Sequence, residues 1–359
     1  MRQFILVLAL IATTARAAET CVCPLPAGAC DVAAEAPAAV LKDSPACISG
    51  VFVDLTEYDK WGDPVQKLAD AGITKIIVQS AKFDYQKAKD VLAAAETRNV
   101  KVYIGLNYDG HFDAGTSSLA DALKADRLIL KEIGGWKADE RKMIDGWYIA
   151  HEIHNFQIWS PELNDKPAER LKRTWARARK LQQYLKTLTG ELKKVEDVKE
   201  NVPILISPTF NPKRDGALLS PKHTETLFRL MFQDSGVDFV LLQDSIGARN
   251  RCERIGGCRW SRPEFVDQAY MYERAVQKGL ACTKTKFGVN VESFEFNAKY
   301  CTTRAATPAE FAVQRRLVPE DAAMVVTFSL ATLFDEPLWN DYVKSGCAAK
   351  HGAAATGAD

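Results

Sequence analysis

The chain has 359 residues, 47 Lys and Arg against 46 Asp and Glu, and 47% hydrophobic content. That balance suits a soluble globular protein with a large core, and the length accommodates two domains or a single α/β barrel. A net charge near zero, with no run of basic residues, argues against nucleic acid or an anionic membrane surface as the main partner.

The opening stretch, MRQFILVLALIATTARA, has a basic start, an apolar run from Phe4 to Ala12 and small residues at Ala15 and Ala17. This is the pattern of a secretory signal peptide cleaved near Ala17, so a secreted or periplasmic protein is expected. An uncleaved anchor and a lipidated Cys21 are the alternatives. The apolar run is short for a bilayer span, Thr20 stands where a lipidated cysteine needs a small neighbour, and no later stretch is long and apolar enough to span. After residues 1–17, residues 18–46 form an Ala- and Pro-rich arm carrying Cys21, Cys23 and Cys30. Residues 47–347 are expected to hold the folded domain and 348–359 a disordered tail.

Nine cysteines agree with export, because oxidising compartments permit disulfides. Cys252 and Cys258 bracket the short loop CERIGGC, which a bond would staple. Cys47 and Cys347 flank the folded region, where a bond would tie its two ends. Spacing proves neither pairing, and an odd count leaves a thiol unmatched within the monomer. The stretch CVCPLPAGAC lacks the paired spacing of a zinc knuckle and has no histidine nearby, so no metal or other cofactor is expected.

In chain order, short apolar runs then alternate with helical patterns. The runs are ISGVFVDL from Ile48, ITKIIVQS from Ile73, VKVYIGLN from Val100, GWYIAHE from Gly146, VPILISP from Val202, VDFVLLQD from Val237, FGVNVES from Phe287 and AMVVTFSL from Ala323. Between them lie segments such as DYQKAKDVLAAAETRN and PAERLKRTWARARKLQQYLKTLTG, with Asp, Ser or Thr before their starts and often a proline. Near-continuous β-branched runs separated by helices indicate parallel strands buried on both faces. Eight such units predict an α/β fold, a single (β/α)8 TIM barrel. An open doubly wound sheet is the alternative, and no glycine-rich phosphate loop follows the first strand to support it.

Active sites of such barrels lie where the strands end. The ends here are Asp54, Gln79, Asn107, Glu152, Ser207, Gln243 with Asp244, Glu292 and Ser329. Side chains alternate along a strand. Trp147 and Ile149 therefore share one face of the fourth run, while Tyr148, Ala150 and Glu152 share the other. In the seventh, Phe287, Val289 and Val291 alternate with Gly288, Asn290 and Glu292. The bulky sets suit the helix side, so both glutamates are predicted to project into one cavity from strands across the barrel. Retaining glycosidases use two carboxyls about 5–5.5 Å apart, one as nucleophile and one as acid/base. Mutual repulsion and burial would keep one of them protonated.

Glutamates ending strands four and seven resemble the pattern of the clan-A, cellulase-like glycoside hydrolases. The set IIVQSA, GWYIAHEI, ISPTF, FVLLQDSIG and NVESFEF is similar to a bacterial barrel family described as a domain of unknown function and related to glycosidases, over roughly Ile48 to Trp339. The resemblance implies Glu152 as acid/base and Glu292 as nucleophile. Clan-A enzymes commonly place Asn before the acid/base, in contact with the sugar 2-hydroxyl; His151 stands there instead. Glu295, three residues past Glu292, is a rival nucleophile if the strand ends early.

Other polar residues are weighed in the same frame. HEIH is not the helical zinc pattern, because His151 and His154 are three apart across a strand end and a loop. His151 is expected to face away from Glu152 or to orient a neighbour, and it is kept as a candidate substrate contact. Alternation sends Gln243 and Asp244 to opposite faces, so one of the two reaches the cavity. Asp244 then binds a hydroxyl, holds Glu152 or makes a local turn. Asp54, Gln79, Asn107 and Asn290 suit hydroxyl recognition, with structural hydrogen bonding as the competing role. Loop aromatics Tyr108, His111, Phe112, Phe156, Trp159, Phe210 and Trp260 offer faces for sugar stacking, and Trp159 is the chosen candidate. The basic helix RLKRTWARARK is expected to be a solvated outer face. No nucleophile elbow is present to support serine esterase chemistry. The expected function is an exported, retaining glycoside hydrolase acting on a carbohydrate substrate. A barrel that binds a glycan without cutting it, assisting surface polysaccharide export or assembly, is the second expectation, and a metal-dependent hydrolase the third.

Overall fold

The computed structural model describes residues 41–79, 84–106, 118–151, 153, 166–209, 220–248, 262–297 and 302–348. Eight parallel strands close into a barrel: β1 (Gly50–Asp54), β2 (Lys75–Gln79), β3 (Lys101–Gly105), β4 (Gly146–Ile149), β5 (Ile204–Ile206), β6 (Phe239–Gln243), β7 (Lys286–Glu292) and β10 (Val325–Phe328). Their order around the ring is β1-β10-β7-β6-β5-β4-β3-β2, so all eight predicted runs are barrel strands. A two-stranded antiparallel hairpin, β8 (Phe294–Asn297) with β9 (Thr302–Ala305), follows β7 and was not expected.

The helices are α1 (Pro64–Asp70), α2 (Tyr85–Glu96), α3 (Leu119–Gly134), α4 (Ala138–Lys142), α5 (Pro167–Leu192), α6 (Pro221–Phe232), α7 (Arg262–Leu280), α8 (Pro308–Leu317), α9 (Leu330–Leu333) and α10 (Glu336–Lys344). Their starts follow from local chemistry. Side chains of Asp63, Asp84, Ser118, Ser220 and Thr307 each accept a backbone N–H of the first turn, which has no partner inside the helix. Proline sits within the first two positions of α1, α5, α6, α8 and α10, where its missing N–H costs nothing.

Strand alternation divides the core in two. One face of each strand packs against the helices in a continuous apolar layer containing Val51, Ile76, Val102, Trp147 and Val289. The other face fills the barrel with Phe52, Ile77, Tyr103, Tyr148, Leu205, Leu241, Met324 and Val326. Phe52 meets Tyr148 edge-on, with ring centroids 5.0 Å apart. Gly146 makes room for Tyr103: a Cβ there would lie 2.2 Å from its Cδ1. The interior is therefore a packed floor, and in barrels of this kind ligands bind above it, at the strands' C-terminal ends.

The first and last parts of the barrel are sewn together. Ile48 N–H donates to the Tyr342 hydroxyl, which donates back to Ile48 O, both at 3.2 Å. Arg315, 1% exposed, lies between the Phe311 and Tyr342 rings at 5.2 Å from each centroid and donates to Ala46 O. Cys47 and Cys347, the pair suggested by their flanking positions, form a disulfide spanning 300 residues of sequence. Closing so long a loop removes unfolded-chain entropy worth about 5–6 kcal/mol in the chain-entropy model, of which disulfides typically deliver about 2–4 kcal/mol. The double variant Cys47→Ser/Cys347→Ser is expected to melt roughly 5–10 °C below the wild type in calorimetry. An unchanged Tm would mean that the ties through Arg315 and Tyr342 suffice. Cys252 and Cys258 lie outside the described residues, and Cys282 is a free, exposed thiol.

Candidate active site at the barrel mouth

The lowest polar layer above the floor is built by three interior positions. Ser207 follows β5, Gln243 ends β6 and Asn290 lies in β7. Ser207 Oγ donates to Leu241 O at 2.7 Å, which commits its only hydrogen. It therefore accepts from Asn290 Nδ2, 3.2 Å away, and this fixes the orientation of the Asn290 amide. Asn290 is 0% exposed, and its Oδ1 has no hydrogen-bond partner among the described residues. A buried acceptor without a donor calls for a water or a ligand hydroxyl. Gln243 Nε2 is spent on Ser207 O at 3.1 Å.

Glu292 stands one alternation above Asn290, at the end of β7, and is 3% exposed. Its carboxylate Oε2 accepts the Ala248 N–H at 2.8 Å, a charge-assisted bond from the loop after β6. That approach depends on Gly247. A Cβ there would sit 2.0 Å from Phe294 O and 3.1 Å from Glu292 Oε2. Phe296 N–H donates to Gly247 O at 2.8 Å, so the β8–β9 hairpin presses the loop against the carboxylate. From behind, Gln314 of α8 accepts the Glu292 backbone N–H at 3.0 Å. The carboxylate is thus oriented by three separate segments of chain.

Asp54 and Gln79 end β1 and β2 as paired neighbours on the interior alternation. Asp54 is exposed, and its Oδ1 accepts from both the N–H and the hydroxyl of Thr56 at 2.8 Å, leaving the other oxygen for a ligand. β7 continues through Glu292, so Glu295 falls in β8, opposite Arg304 in the hairpin ladder.

His151 and Asp244 are not at the mouth. Both fall on the outward alternation, where the helices cover them. His151 is 0% exposed, with Nε2 3.2 Å from Asp126 Oδ2 of α3. Asp244 accepts the Ile246 N–H at 3.1 Å, a local turn, and lines a narrow cavity with Tyr270 and Glu273 of α7 and Gln314 of α8. Burial pushes the Glu273 carboxyl up to about 8, with the Asp244 charge adding to the effect. Neither His151 nor Asp244 therefore reaches a ligand seated above the barrel floor. Glu152, Asn107, Trp159 and His154 lie outside the described residues, as do the other loop aromatics.

Asp126, Tyr184, Glu273 and Gln314 had not been singled out by the sequence reading. The available signal was a polar residue on an apolar helical stripe: Asp126 among Ala122, Ile129 and Ile133, and Gln314 beside Phe311 and Leu317. Among the described residues no group of three or more His, Cys, Asp or Glu is placed to hold a metal ion.

The sequence pattern of the family described as "Domain of unknown function (DUF4434)" matches residues 48–338. The chain belongs to that family. Comparison with curated proteins returned no match. Among solved structures, this DUF4434 domain is similar to a Bacteroides thetaiotaomicron protein provisionally assigned as an α-L-fucosidase. The two share 16% identity over 91% of this chain and 99% of that one, with a TM-score of 0.60, which shows a shared fold. A family 1 β-glucosidase from Thermotoga maritima aligns more distantly, at 11% identity over 71% of this chain and 60% of that one, with a TM-score of 0.31. No helix among the described residues of the DUF4434 barrel is long and apolar enough to cross a membrane.

Proposed function

We propose that the protein is an exported glycoside hydrolase that cleaves a polysaccharide or oligosaccharide with retention of configuration. The observation that carries this reading is the buried Glu292 carboxylate, held at a barrel strand end by the Ala248 N–H. A nucleophile must arrive at the anomeric carbon already oriented, and Ala248, Gly247 and Gln314 supply that orientation. In this mechanism Glu292 attacks the anomeric carbon while Glu152 protonates the departing oxygen, giving a glycosyl-enzyme ester. Glu152 then takes a proton from water, and the water oxygen displaces Glu292. Asn290 Oδ1, Gln79 and the outer oxygen of Asp54 are the acceptors proposed for sugar hydroxyls. The Cys47–Cys347 disulfide supports an oxidising compartment and hence export.

The test is sugar release from a broad polysaccharide panel that includes the producing cell's own exopolysaccharide, with the first-formed anomer read by proton NMR. Release of the retained anomer is expected. Release of the inverted anomer would replace the covalent step with direct attack by water. Glycan retardation in affinity gels without any release would favour the binding-only barrel.

A further inference from the structure

His151, Asp126 and Tyr184 form a polar network that the chemistry above does not use. Asp126 and His151 are 0% exposed and Tyr184 5%. The Tyr184 hydroxyl donates to Asp126 Oδ2 at 2.7 Å, and His151 Nε2 stands 3.2 Å from the same oxygen. A carboxylate oxygen only accepts, so the network assigns a proton to Nε2. The Tyr184 ring also packs edge-on against the imidazole, with centroids 5.9 Å apart. Stability alone does not account for this arrangement. Asp126 Oδ1 has no hydrogen-bond partner among the described residues. A carboxylate buried with one oxygen unsatisfied is costly, whereas an apolar residue on the same stripe would add to the core.

The position of the network does account for it. The β4 ladder ends where Ile149 pairs with Ile206. Beyond that point the chain on both sides of position 152 is held in other ways. His151 is bonded to Asp126 of α3 and packed by the Tyr184 ring of α5. Ile153, 2% exposed, accepts the Thr209 N–H on its carbonyl at 3.1 Å. Position 152 therefore sits in sequence between two anchors, and the first of them is this network.

We propose that Asp126, together with Tyr184, is a positioning pair that acts through His151 to hold the backbone carrying Glu152. This inference rests on Glu152 being the acid/base. Protonating a leaving oxygen demands sub-ångström placement of the acid, so a loosened anchor costs rate only where protonation is needed.

The experiment compares wild type with Asp126→Leu, which removes the acceptor, and Asp126→Asn, whose Oδ1 can still accept from both donors. Amide hydrogen exchange is followed in the peptide spanning 146–156. The value of kcat/KM is measured on the 2,4-dinitrophenyl and phenyl glycosides of the sugar that the wild type releases. In Asp126→Leu, exchange in that peptide is expected to quicken roughly tenfold while the rest of the barrel is unchanged. The phenyl glycoside is expected to slow by about 10- to 100-fold, and the dinitrophenyl glycoside, whose leaving group needs no proton, by less than about threefold. Asp126→Asn is expected to restore both readouts. If Asp126→Leu does not fold, Tyr184→Phe is expected to show the same changes at smaller size. Unchanged exchange would overturn the inference whatever the substrate. Faster exchange with both glycosides slowed equally would also overturn it, because the network would then be merely structural. A wild type inert on both glycosides would count against the glycosidase reading, and the exchange result would then decide the anchor by itself.

Discussion

Glu292→Gln is expected to reduce sugar release by at least about a thousandfold while leaving the fold intact. The expected size follows from the role: an amide cannot form the glycosyl ester, so the first step loses its nucleophile outright. Preservation of the fold follows from the contacts. The glutamine Oε1 can accept the Ala248 N–H in place of the carboxylate, and the bond from the Glu292 backbone N–H to Gln314 does not involve the side chain. The melting temperature should therefore stay within a few degrees of the wild type, and this separates loss of chemistry from loss of structure. Equal release by both proteins would remove Glu292 from the mechanism. Glu295 would then come first among the remaining carboxylates, since it is 3% exposed in the hairpin that presses on the same loop. Asp244 would not replace it, because its carboxylate is turned to the helix side.

The barrel was legible because its signal is periodic and repeated. Eight β-branched runs, each ending in a polar residue, are hard to arrange otherwise, and alternation put Phe287, Val289 and Val291 on the helix side, where they pack. Alternation also carried the information that His151 and Asp244 face outward, but proximity to the strand tips drew both into the candidate site. The hairpin was missed for a different reason. FEFN follows β7 after one residue, Ser293, and so short a strand is indistinguishable from the loop that a barrel needs there. The supports of the site were the least legible part. Gln314, Ala248, Asp126 and Tyr184 act across long sequence separations, and their only local mark is a polar side chain on an apolar stripe or a backbone N–H beside a glycine.

Glu273 carries a large expected effect of pH on stability. It lies 6% exposed on α7, and its Oε1 has no hydrogen-bond partner among the described residues. Burial is the main cause that pushes its carboxyl up to about 8; Asp244 adds to it, and Arg274 and Lys42 oppose it. In the unfolded chain a glutamate titrates near 4.3. Between these two values the folded protein keeps a proton that the unfolded chain has lost. The folded state is therefore favoured fully below the unfolded value, and the advantage drains away as pH rises toward 8. From pH 5 to pH 8 this single group is expected to remove about 3 kcal/mol of stability. Glu273→Gln replaces the neutral acid by a neutral amide of the same shape, so the two proteins should be of similar stability at pH 5. At pH 8 the variant should be the more stable by about 3 kcal/mol. Urea unfolding at pH 5, 6, 7 and 8 tests this, and other titrating groups cancel in the difference between the two proteins. Parallel pH profiles would show that Glu273 is ionised in the folded state. The cavity it shares with Asp244 and the Gln314 amide would then have to accommodate two negative charges behind the strand that carries Glu292.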